Sequence, residues 1–63
     1  MCLAIPGKII KINKEKAIVD FDGIKKEINI SLVKVKIKDY VIIHAGFAIQ
    51  KIEKQEAIEA LKF

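Results

Sequence analysis

Asp22-Gly23 stands between two apolar-rich runs, residues 17–21 and 24–30. Glycine, and to a lesser extent aspartate, tolerates the positive φ that a type I′ turn needs. A two-residue turn here therefore folds the flanking runs back on each other as an antiparallel hairpin. The rest of the chain reads as strands around that hairpin. Residues 8–13 form a first strand, and polar Asn13-Lys14-Glu15-Lys16 a loop before Ala17. Beyond the hairpin, Val33, Val35 and Ile37 alternate with Lys34, Lys36 and Lys38, which predicts a strand with one wet face whose lysines discourage edge-to-edge pairing. Residues 40–45 are apolar on both parities apart from His44, as in a central strand covered on each face. Gly46 allows a bulge or bend, and residues 47–51 continue the sheet.

From Ile52 the period changes. Ala57, Ile58 and Leu61 share a helical face, Glu53, Glu56 and Glu59 come early, and Lys62 sits at the end, as the helix dipole prefers. A helix this short does not persist alone in water and has to dock. The division is one domain: an N-terminal arm 1–7, a barrel 8–51 and a helix 52–63. Short strands closing on themselves with one short helix predict a mainly β fold, a small OB-like β-barrel of five or six strands with a C-terminal helix.

With 63 residues, a domain buries only about 60% of its unfolded surface, so a deep enzymatic pocket is not expected. A single cysteine permits no disulfide within the monomer, and no apolar run approaches a membrane span. Residues 1–5 lack the charged start of a signal peptide, so a cytoplasmic location is expected. The net charge of +4 comes from 12 basic residues, all lysine. Lysine solubilises a surface, whereas arginine supplies the rigid fork used for phosphate and base edges.

The one cysteine, Cys2, opens the apolar arm Met1-Cys2-Leu3-Ala4-Ile5, which ends at Pro6-Gly7. A structural cysteine belongs in a core, but this one sits at a chain end, where its sulfur can reach a partner or a metal. Pro6-Gly7 reads as a breaker that separates the arm from the strands. The one histidine, His44, lies in the apolar run and is either a core residue or a second donor.

The opening Met-Cys-Leu-Ala-Ile-Pro-Gly-Lys, together with Asp39-Tyr40-Val41 followed by His44-Ala45-Gly46-Phe47-Ala48, resembles the HypC family of nickel-iron hydrogenase maturation chaperones nearly end to end. The resemblance implies a non-enzymatic assembly factor with an OB-like barrel. Such a factor binds the HypD scaffold protein and escorts an Fe(CN)2CO fragment to the hydrogenase large-subunit precursor. It maps the functional cysteine onto Cys2 and the histidine onto His44. Thiolate is the soft ligand that low-spin iron favours, with imidazole a reasonable second donor. Leu3, Ala4 and Ile5 would add an apolar anchor, so the partner-binding segment is Cys2, Leu3, Ala4, Ile5, Pro6 and Gly7. One departure is visible: family members usually carry glycine before Asp-Tyr-Val, where this chain has Lys38.

Two other classes compete. A basic OB-type barrel can bind single-stranded nucleic acid, but that needs exposed aromatic platforms, and this chain has Tyr40 and three Phe, which its core requires. A cysteine-dependent enzyme would pair Cys2 with His44, yet no orienting third group or oxyanion motif is evident. Neither nucleic acid nor a membrane is expected as a partner.

Overall fold

The computed structural model describes residues 5–60. Five strands, β1 (Ile5–Asn13), β2 (Lys16–Phe21), β3 (Ile24–Asn29), β4 (Tyr40–His44) and β5 (Phe47–Ile52), precede a short helix, α1 (Lys54–Ala60). They close into a barrel in the order β1-β2-β3-β5-β4. The OB-like reading of the pattern thus holds, with five strands.

Two tight turns build the first meander. Lys14-Glu15 joins β1 to β2, with Asn13 opposite Lys16 and Lys14 at φ 58°. Asp22-Gly23 joins β2 to β3 with φ values of 53° and 97°, the geometry predicted for that dipeptide. The Gly23 amide also donates to Asp20 Oδ1 at 2.7 Å, which pins the turn to its own strand. A bulge at Ile10, between Ile9 and Lys11, interrupts the ladder of β1 with β2.

Period-two patterning decides what goes inside. Ile9, Ala17, Val19, Ile28, Ile30, Val41, Ile43 and Ala48 form the core, with Ile12, Phe21, Val33 and Val35 packed against it. Ile9, Val19 and Val41 are completely buried. Each such side chain contributes about 1.5–3 kcal/mol over an exposed one. β4 alternates, burying Val41 and Ile43 and half-burying Tyr40 and Ile42, so it is less evenly covered than its composition predicts.

Four expectations are corrected. Pro6-Gly7 is not a breaker: both residues lie buried inside β1, opposite Ile42 and Val41 of β4. Proline is tolerated because pairing of β1 with β2 begins only at Lys8, leaving Pro6 laddered on one side. Gly7 is needed for closeness, since a Cβ there would come within 2.8 Å of the Phe21 ring and closer still to Val19 Cγ1. Residues 5–7 of the expected arm thus belong to β1, and residues 1–4 lie outside the described residues.

The Val33-Val35-Ile37 alternation is not a strand. Residues 31–39 form an irregular connection in which Val33 and Val35 still turn inward and Lys34, Lys36 and Lys38 face solvent, while Ile37 is 52% exposed. Asp39 breaks the extended run: its Oδ2 accepts the Lys36 amide at 2.9 Å, and its own amide donates to the Lys36 carbonyl at 3.0 Å. Lys38 is forced to φ 81° and donates its amide to Ile9 at 2.7 Å. Alternation reported burial here, but without a ladder partner it could not make a strand.

Gly46 forms a hairpin turn with Ala45, at φ 83° and 55°, and reverses the chain rather than bending one strand. His44 and Phe47 face each other across it. The bulge expected near Gly46 falls further along β5, at Ile49, between the pairs Ile43 with Ala48 and Ile42 with Gln50. Finally, the helix begins at Lys54, because Ile52 still pairs with Tyr40 in β5. Leu61 and Lys62 of the expected helix lie outside the described residues.

Candidate functional site

One rim of the barrel gathers the features of chemical interest. Antiparallel pairing puts the start of β1 beside the end of β4, with Ile5 opposite Ile43. His44 follows directly and ends β4, paired with Phe47 across the Ala45-Gly46 turn. Its imidazole is exposed, and among the described residues nothing hydrogen-bonds to it. A core histidine would be buried and satisfied, so the core reading of His44 is removed.

Cys2 lies outside the described residues. It precedes Ile5 by three residues in the chain. His44 is next in sequence to the residue that Ile5 faces. Leu3 and Ala4 lie outside the described residues too. Pro6 and Gly7, expected beside them as partner-binding residues, are buried within β1.

The same rim carries an open groove of about 480 Å³ running from the β2–β3 turn to the β4–β5 turn. Phe21, Ile24, Ile28 and Ile43 give it apolar walls, with Lys26 and His44 among its polar groups. Ile24 is 62% exposed at its end. Nothing in the sequence marked Ile24 or Lys26; the exposed isoleucine beside the hairpin turn was the available signal, but it looks the same as any strand residue until closure is known.

The donor set is small. Among the described residues no three His, Cys, Asp or Glu side chains cluster as metal ligands, which leaves His44 as the candidate donor on the described rim. Phe21 and Tyr40 are half-buried, and Phe47, at 40% exposure, is the one described aromatic on the surface. One ring is too few for a stacking track along a nucleic-acid strand. Among the described residues no helix is long and apolar enough to cross a membrane.

A barrel with a filled interior, an exposed imidazole and an open rim groove has the form of a small binding protein that presents groups at one end. The chain belongs to the HupF/HypC family, whose model matches residues 1–63. It is 43% identical to the hydrogenase maturation factor HypC of Azotobacter chroococcum over 97% of this chain and 75% of that protein. It is 41% identical to HypC of a Synechocystis species over 97% and 90% of the two chains. It is also 42% identical, over 97% of this chain and 72% of the other, to the Frd operon uncharacterized protein C of Proteus vulgaris. Like the maturation factors of this family, the chain is a chaperone and not an enzyme.

Proposed function

We propose that this chain receives an Fe(CN)2CO fragment on a HypD-type scaffold and escorts it to the immature large subunit of a nickel-iron hydrogenase in the cytoplasm. The observation that supports the reading is the pairing of Ile5, three residues after Cys2 in the chain, with Ile43, next to the exposed His44.

The iron fragment is cargo. Cys2 offers a thiolate and His44 an imidazole nitrogen, a donor pair suited to low-spin iron. Binding requires the Cys2 proton to leave, so capture releases a proton and release can take one back. Ligand exchange of this kind moves no electrons. Two protein donors leave the cargo short of a closed protein shell, which favours transfer over storage. Leu3 and Ala4 supply an apolar contact that brings the arm to its partner.

The test is anaerobic isolation of this chain from cells that make the scaffold. Iron with infrared bands of bound carbonyl and cyanide is expected in the wild type and absent in Cys2→Ala, with unchanged melting. A scaffold complex that leaves this chain without iron bands after separation would reduce it to an adaptor.

A further inference from the structure

The barrel is closed unequally. β3 pairs with β2 along all six residues, but it meets β5 only at Asn29 and Phe47. A two-residue turn makes Phe21 and Ile24 a hydrogen-bonded pair, and alternation then directs the amides and carbonyls of Ile24, Lys26 and Ile28 toward β2. Those of Lys25, Glu27 and Asn29 point the other way. The Asn29 amide donates to the Gly46 carbonyl at 3.0 Å, as this phase requires. Among the described residues, Lys25 and Glu27 have no backbone partner on that side. Two consecutive outward positions thus offer a donor and an acceptor each, beside a groove that a strand can enter.

We propose that the free edge of β3 binds an extended segment of a partner polypeptide by strand addition, independently of any metal on Cys2 or His44. The side chains on its inner face specify the segment. Ile24, Lys26 and Ile28 recur with period two along that face, and all three line the groove. The complementary segment carries an acidic residue opposite Lys26 and apolar residues two positions to either side, while its intervening residues bond to Lys25 and Glu27. Lys26 is the one charged residue on the inner face of β3, which favours an acidic strand. A second copy of this chain is the competing occupant, because the two-fold register that sets Lys26 against Lys26 also sets Lys25 against Glu27 twice, and the test below separates the two.

Amide exchange and chemical shifts of the full chain, followed by NMR, test this. Alone, Lys26 and Ile28 are expected to be protected while Lys25 and Glu27 exchange fast. A blocked pentapeptide Val-Thr-Glu-Thr-Val at millimolar concentration should shift and protect the Lys25 and Glu27 amides. Replacing its Glu by Lys should weaken binding several-fold, Lys26→Glu in the chain should reverse that preference, and N-methylation of both Thr amides should abolish binding. Slow exchange of Lys25 and Glu27 in the free monomer would show the edge already covered. Their protection only in a concentration-dependent dimer would assign the edge to a second copy. Equal binding of the N-methylated peptide would reduce the site to an apolar groove. Each of these three results overturns the proposal.

Discussion

The two seams that close the barrel differ in kind. Along β1, pairs with β2 run from Lys8 to Asn13 and pairs with β4 from Ile5 to Lys8, and Gly7 lets the wall press against Val19 and Phe21. Along β3 and β5 a single bridge holds the two strands together. The first seam buries apolar area and satisfies backbone groups. The second leaves both undone next to the exposed imidazole. A domain of this size has little stability to spare, so one continuous seam carries the fold while the loose one is left for binding.

Breaking the tight seam should have the largest effect. Val41→Ala or Ile9→Ala is expected to cost about 2–5 kcal/mol, enough to unfold much of so small a domain, as chemical denaturation would register. Gly7→Ala comes next. Its methyl would meet Val19 and the Phe21 ring, and a loss of about 1–3 kcal/mol is expected in the same measurement. If Gly7→Ala melts like the wild type, β1 and β2 are not pressed together as described.

The loose seam should behave in the opposite way. His44→Ala is expected to change stability by no more than about 0.5 kcal/mol, because the side chain is exposed and unbonded among the described residues. Iron retained after separation from the scaffold should nevertheless fall. A large drop in melting temperature with iron unchanged would move His44 from the binding side of the comparison to the structural side.

Lys38 sharpens the contrast between local strain and long-range pairing. At φ 81° it holds a conformation that glycine adopts freely, so Lys38→Gly should stabilise the chain by about 1 kcal/mol, seen as a rise in melting temperature. The smallest effect belongs to Lys51, whose ammonium lies 3.5 Å from Asp39 Oδ2 and is half exposed. Lys51→Ala should lose less than about 0.5 kcal/mol, and that only at low salt.

The predicted hairpin at Asp22-Gly23 and the strands around it were legible because φ preferences and period two act over a few residues. The departure at Lys38 was legible as well, although its meaning was not: Lys38 holds a positive φ that a glycine would adopt without strain. Burial at Val33 and Val35 was read correctly from the same alternation that wrongly predicted a strand, since patterning reports which side faces the core and not whether a neighbour is in reach. Pro6-Gly7 misled for the converse reason. As a dipeptide it suggests a turn, and only the approach of β4 on one side and Phe21 on the other makes an extended, buried glycine necessary.

By itself the sequence determined the local vocabulary: mainly strands, a type I′-compatible turn, a soft ligand close to the N-terminus, and a family signature running the length of the chain. The tertiary structure decided which ends meet. Pairing of Ile5 with Ile43 sets the start of β1 beside the rim of His44, and the single bridge between β3 and β5 opens the groove beside it. These contacts join residues far apart in the chain, and their geometry depends on bulges, shear and closure, which no local period encodes.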